Sequence, residues 1–425
     1  VKKLRRACAV VTFAAGAALL TGGTGRADLP FAPWIDEGDV PPPRWARSVA
    51  PKAGENGAGD LVLFSGPTRA AARRGVTAPG ASLRFFGGKR GSGCSGNWWL
   101  VGPLAWACSD DANLAATEPV APGVANGPDG LPMQYFFVGR DGTSAYVSLD
   151  TAEDGAADRE FERGWAVGVV EQQTAHGGRW GRTSKGLWIA MRDLAAARPS
   201  LFRGELIEEG RLDVAWVVAD HANVWPTASP KDKPKDQRGR FQLVHVREGS
   251  GPMVQVDEGA WMLARDLARP TVAPPPADVA GAGERWIDVE LATQTLVAYE
   301  GLRPAYATLV STGRGAAGTP SATPVGAHRI WVKMLTSDMD NVERDDLEEH
   351  YSMEAVPYVQ FFDKAVALHG TYWHRDFGRV KSHGCVNLAP LDARWLFAFT
   401  GPRLPAGWVA TYPTSVDEGT VVRVR

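Results

Sequence analysis

Before residue 270 the apolar positions fall in short runs, "DLVLF" (60–64), "WAVGVV" (165–170), "VAWVVA" (214–219) and "FQLVHV" (241–246), separated by clusters of Gly, Pro and Asp. Runs of that length bounded by turn formers predict strands, so this part of the chain is expected to be all-β. The pattern also repeats. Gly186-Leu-Trp188-Ile-Ala-Met-Arg192-Asp193-Leu194 returns 73 positions later as Gly259-Ala-Trp261-Met-Leu-Ala-Arg265-Asp266-Leu267. Such a period is too long for a solenoid and fits small β-barrel modules. Each copy opens with a Trp-bearing strand (Trp165, Trp216), and the second carries a polar loop, "PKDKPKDQRG" (230–239), expected to be solvated. A looser first copy runs through "WWLVGPLAWAC" (98–108).

The stretch 269–284, "RPTVAPPPADVAGAGE", is rich in Pro, Ala and Gly and predicts an exposed, partly extended linker. After it, "WIDVELATQTLVAYEG", "AYATLVS", "GAHRIWVKM", "VPYVQFF" and "AVALHG" predict a second mainly β unit. The expected organisation is a leader at 1–27, modules at 28–120, 125–200 and 205–269, a linker at 270–283 and a C-terminal domain at 284–425. Strand, variable loop, Trp-bearing strand and closing "GLW...RDL" resemble the bacterial SH3-like modules attached to cell-wall enzymes. Individual tryptophans of these modules are either core residues or exposed platforms for sugar or peptide.

The leader changes the chemistry to be expected. Lys2, Lys3, Arg5 and Arg6, the apolar stretch Ala7 to Leu20 and the small-x-small Gly25-Arg-Ala27 read as a secretory signal, with an uncleaved anchor as the alternative. No later segment is long enough for a membrane span. Residues 1–27 hold five basic residues and no acidic one, which leaves 41 basic against 48 acidic, a net charge of about minus 7. No nucleic-acid partner is expected of that balance. Three cysteines remain after the leader: Cys94 and Cys108, 14 positions apart, are the natural disulfide pair in an oxidising compartment, and Cys385 is the odd thiol.

Cys385 is either an inert buried thiol or a nucleophile, and its surroundings favour the second. "HGTYWHRDFGRVKSHGCVN" (369–387) places His369 at the end of an apolar strand as a candidate base, and the glycine of "HGC" allows a tight turn. The amides of His383, Gly384 and Cys385 would then converge on an attacked carbonyl. His369, His374, His383 and Cys385 are of zinc-ligand types, but they lack the paired spacing of structural sites, and no metal is expected. His374 reads as a loop histidine. Gly313-Arg-Gly315-Ala-Ala-Gly318 formally matches a dinucleotide fingerprint, yet "TPSATP" follows it, so a turn is expected in place of a phosphate-binding helix.

His369, a spacer of 12 residues, then Ser382, His383, Gly384, Cys385, Val386 and Asn387 resemble the signature of L,D-transpeptidases, the cysteine enzymes that cross-link bacterial peptidoglycan. The resemblance extends over roughly 284–425 and includes "STGRGAAGTPSATPVGAHRI", with Ala322 where a glycine is usual. It implies a β-sandwich-like catalytic domain in which Cys385 is the nucleophile and His369 the base, oriented by the carbonyl of Gly370. His383 and Gly384 would shape the oxyanion turn, and Ser382 and Asn387 would hold the loop. Tyr351, Met353 and Tyr358 read equally as cleft wall or core; Tyr372 and Trp373 suit a shielded cleft. The acidic run 338–349 lies where the family carries a lid, and is either a solvated face or a substrate contact.

The implied reaction is acyl transfer from a peptidoglycan stem tetrapeptide through a thioester on Cys385 to an acceptor amine, with no cofactor, in a protein exported to the periplasm or cell wall. An L,D-carboxypeptidase, in which water resolves the thioester, and a non-catalytic wall-binding scaffold are the alternatives.

Overall fold

A computed structural model describes residues 48–54, 57–122, 127–247, 249, 251–279, 281, 283–341 and 350–425. The signal segment 1–27, the start of the first expected module and most of the acidic run lie outside the described residues.

Three β assemblies precede the C-terminal domain. In the first, Trp98–Gly102 and Ala105–Cys108 form a hairpin that Cys94 staples by a disulfide to Cys108, as the spacing predicted. Val49, Leu61, Leu63, Val101 and Ala107 fill its core. In the second, Gln134–Val138 pairs with both Ala166–Ala175 and Leu194–Ala196, while Thr143–Tyr146 pairs with both Arg159–Phe161 and Trp188–Ala190. These strands curl into a small, partly open barrel around Val138, Ala145, Phe161, Trp165, Val167 and Ile189. The third packs Val217, Val224, Val244, Val256 and Met262.

The sequence repeat is a structural repeat. Trp188–Ala190 leads into a single 3-10 turn, Met191–Asp193, and out into Leu194–Ala196; Ala260–Leu263 leads into Ala264–Asp266 and Leu267–Ala268 in the same way. Gly186 and Gly259 precede these units with φ of +84° and +60°, a region that costs a residue with a Cβ.

The C-terminal domain is a two-layer sandwich. One layer is the meander Arg285–Glu290, Thr295–Glu300 and Arg303–Leu309, with Val421–Val424 parallel to the first strand and Gly326–Arg329 beside it. The other holds the long hairpin Val332–Asp340 and Ser352–Asp363, then Val366–Gly370, then Val386–Leu388 in parallel. Ile287, Leu296, Ala298 and Tyr306 meet Tyr358, Phe362, Leu368 and Val386 between the layers. The helix Pro390–Phe399 closes that core with Ala393, Leu396 and Phe397. Pro390 suits its first turn, where no amide needs an intrahelical partner. At the other end Lys333 donates to the carbonyls of Phe397 and Thr400, both at 2.7 Å.

The assemblies are joined to this sandwich by paired strands. Glu205–Leu206 extends the first layer beside Arg303–Leu309, Arg73–Thr77 pairs with Trp408–Thr411, and Ala166 pairs with Met353 of the long hairpin. The described residues of the Pro-rich stretch form no regular strand and are tied along the sheet: Ala273 N–H donates to Tyr299 Oη (3.1 Å), and Arg423 donates to Pro274 O (2.6 Å).

Candidate active site

The parallel strands Val366–Gly370 and Val386–Leu388 set His369 opposite Asn387 and Leu368 opposite Val386. Leu368 and Val386 point into the sandwich core. Alternation along a strand therefore turns His369 and Asn387 to the opposite face. On that face Cys385 packs beside Ala367, with Val356, Val359, Met353 and Trp373 around them. His369 and Cys385 are thus brought to one face of adjacent strands.

His369 is 2 % exposed, and Trp373 stacks along its ring at 5.7 Å. Its Nδ1 donates to Gly370 O at 3.0 Å, the backbone partner that the signature implies. With that proton placed, the basic lone pair is on Nε2. Burial lowers the imidazole pKa to about 4, so it is neutral at neutral pH. Burial also pushes the Cys385 thiol up. The resting arrangement therefore holds a neutral thiol beside a neutral imidazole.

The loop before Cys385 is fixed by two hydroxyls. Ser382 Oγ donates to Cys385 O and accepts from Gly384 N–H at 3.1 Å. Thr323 Oγ1 donates to Gly384 O and accepts from Gly313 N–H, both at 2.8 Å. Gly384 has φ +130°, a conformation that favours glycine, and a Cβ there would stand close to Ala322 O at 3.3 Å. The expectation of three converging amides needs one correction: the Gly384 amide is already engaged by Ser382 inside the loop.

His383 is exposed, stacks against Tyr351 at 6.1 Å with 10° between the rings, and meets Arg314 through Nε2. A guanidinium only donates, so His383 Nε2 is an acceptor already in use. That leaves His369 as the candidate base.

His374, expected to be a loop histidine, is part of the site. Asp376 N–H donates to its Nδ1 at 3.1 Å, so the ring proton is on Nε2, which lies 2.8 Å from the side-chain amide of Asn387. Hydrogen-bond chemistry requires that amide turned with its oxygen toward His374. The other amide atom of Asn387 is buried without a partner among the described residues. Burial holds His374 at about 4, neutral like His369. No local pattern signals this pair, because its members are 13 residues apart and only the fold joins them.

Tyr358 and Tyr372, expected as substrate or loop support, are placed elsewhere. Tyr358 is 3 % exposed and donates to Gly130 O at 2.6 Å; Tyr372 is 1 % exposed and donates to Glu354 O at 3.1 Å. Both are contacts within and beneath the long hairpin. Met353 is the cleft-side residue, half-buried beside Cys385. Asp338, at the head of the acidic run, is no merely solvated charge: it pairs with Lys185 of the central barrel at 3.0 Å and accepts from Ala355 N–H. Next to it Glu354 is buried, its carboxylate oxygens without a close hydrogen-bond partner, and burial raises it to about 7. In the fingerprint-like segment Ala317 and Gly318 form a turn, while Gly313 bridges to Ser382.

Residues 284–424 match the family model of the L,D-transpeptidase catalytic domain, YkuD. Among solved structures, an Enterococcus faecium L,D-transpeptidase is similar at 23% identity over 33% of this chain and 50% of that one, with a TM-score of 0.25. Mycobacterium tuberculosis L,D-transpeptidase 1 is similar at 20% identity over 33% and 61%, TM-score 0.25. The L,D-transpeptidase of Stackebrandtia nassauensis is similar at 27% identity over 34% and 57%, TM-score 0.23. This chain spans about half the length of the first of these and less than two thirds of the others. No curated protein matches the chain.

Proposed function

We propose that the chain is an exported L,D-transpeptidase that forms peptidoglycan cross-links through a thioester on Cys385. The observation that carries this reading is His369, whose Nδ1 is committed to Gly370 O, leaving a basic Nε2 on the same face as the only free cysteine among the described residues. His369 Nε2 takes the thiol proton as sulfur attacks the carbonyl carbon of the third residue of a stem tetrapeptide. The carbon–sulfur bond forms, the last peptide bond breaks, and the proton passes from His369 to the leaving nitrogen of D-Ala. An amine of a second stem then attacks the thioester carbon and gives a proton to His369; the carbon–nitrogen bond forms, the carbon–sulfur bond breaks, and His369 returns the proton to the departing sulfur, restoring the thiol. No metal or organic cofactor enters either half.

The division into modules at 28–120, 125–200 and 205–269, a linker at 270–283 and a catalytic domain at 284–425 is part of the same proposal, with the modules SH3-like and directed to the wall. The disulfide Cys94–Cys108 supports an oxidising compartment such as the periplasm or wall. Defined tetrapeptide muropeptides test the reaction: mass spectrometry is expected to find cross-linked dimers and released D-Ala, both lost in Cys385→Ala and His369→Ala. Tripeptide without dimers at high acceptor concentration assigns the carboxypeptidase; undiminished turnover in Cys385→Ala overturns the nucleophile.

A further inference from the structure

The segment Gly313-Arg-Gly315, formally a dinucleotide fingerprint, is a platform for one cation. A Cβ on Gly313 would stand 2.4 Å from Ser321 O, and one on Gly315 would stand 2.7 Å from Ala322 N, so the chain doubles back in contact on both sides of Arg314. Arg314 N–H donates to Ser382 O at 3.0 Å, and Gly313 forms a bridge with Ser382. The backbone of Arg314 is thereby locked to the loop that carries Cys385. Its side chain donates one N–H to His383 Nε2, and the Tyr351 ring lies parallel to His383. Three segments, the 313–318 turn, the cysteine loop and the long hairpin, thus build one wall at the mouth of the site.

Charge and unused donors together single Arg314 out. Of the other cations around the loop, Lys381 is compensated by Asp376 at 3.1 Å and Arg379 by Asp220 at 3.3 Å, while Arg375 spends two donors on Arg198 O. Arg314 is exposed and has no carboxylate partner among the described residues. His383 uses one of five guanidinium donors, so a planar fork remains for an anion.

We propose that Arg314 binds the C-terminal carboxylate of a peptide whose last peptide bond is attacked by Cys385. The inference rests on Cys385 being the nucleophile. In such a peptide the carboxylate carbon is three bonds from the attacked carbon, within about 4 Å of it. An anion that close to the sulfur needs a cation anchored to the same loop, and Arg314 is so anchored. The carboxylate then distinguishes a terminal bond from an internal one, which makes the enzyme an exo-acting one by charge.

Equilibrium binding to the full chain carrying Cys385→Ala tests this without turnover. A stem tetrapeptide with a free C-terminus is expected to bind about 10-fold or more tightly than the same peptide amidated. Adding Arg314→Ala makes the two bind alike, and Arg314→Lys keeps part of the preference. Thermal melts of each variant establish that it is folded. Equal binding of acid and amide by the chain that keeps Arg314, no binding of the acid, or a preference that survives Arg314→Ala overturns the proposal. Release of D-Ala by the wild-type chain is measured separately: its absence overturns the functional reading, while the binding preference still decides Arg314.

Discussion

Tyr135 stacks on Tyr372 with ring centroids 4.0 Å apart, and its hydroxyl donates to Ala355 O at 2.6 Å. One side chain of the central barrel thus grips both the segment that follows His369 and the strand that carries Met353. Ala166 adds a backbone pairing to that strand, and Lys185 adds an ion pair to its partner strand. The barrel is a buttress for the wall of the site.

A chain beginning at Glu284 is therefore expected to fail as an independent enzyme. It would expose Tyr358, Tyr372 and Phe377, all buried in the full chain, and would lose the strand beside Arg303–Leu309. Soluble expression should be lost, or melting should fall by roughly 10 °C or more. In the full chain, Tyr135→Ala should cost about 3 kcal/mol by urea unfolding. A 284–425 fragment with sharp melting and full activity would refute the buttress.

His374 is expected to act through Asn387, and its substitutions should separate accordingly. Gln keeps a donor where Nε2 stands, so His374→Gln should retain most of kcat. His374→Phe removes the donor, frees the amide to turn, and should lower kcat by roughly 10- to 100-fold with KM little changed. Equal losses in the two variants would show that only volume matters at this position.

Stability against pH should be shallow between about pH 4 and 6.5, because opposed groups titrate there. His369 and His374 sit at about 4 in the fold, so the unfolded chain takes up their protons first and stability is lost as pH falls from 6.5. Glu354 and Asp392 are raised by burial to about 7 and about 6, so the folded chain holds their protons and stability is lost as pH rises through the same window. Glu354→Gln removes one of the second pair. Its urea midpoint should then fall on acidification from pH 6.5 more steeply than wild type, by about 1.4 kcal/mol per pH unit. Parallel profiles would mean that Glu354 is not held protonated.

The cysteine pairing predicts a single reactive thiol in the unreduced chain lacking residues 1–27. Cys94→Ser with Cys108→Ser should cost about 3 kcal/mol in the chain-entropy account of a loop this size. Labelling three thiols would exclude the bond.

Most of the cysteine loop was legible because its constraints are local. Ser382, Gly384 and Cys385 bond to one another within three residues, and a glycine between two residues with side chains announces a turn. The repeat was legible for the same reason, each copy being one strand–turn–strand unit. What escaped depends on contacts between distant parts. "VPYVQFF" shows that Tyr358 is apolar in context, but an aromatic beside a cleft and one beneath a docked barrel look alike in sequence. Nothing local to Glu354 marks it for burial, and only the fold packed around it makes it a buried acid.

Arg73–Thr77 pairs with Trp408–Thr411, Trp408 lies over Gly75 where a Cβ would stand 2.1 Å from its ring, and Arg74 donates to Thr411 Oγ1 and to Tyr412 O. A strand made early thus waits for one made more than 300 residues later. At about 5–20 residues per second of synthesis, that is a delay of tens of seconds during which Arg73–Thr77, paired on its other side with Val62–Phe64, has an open edge. The chain cannot be finished module by module as it emerges: its first assembly stays incomplete until nearly the whole chain has been made.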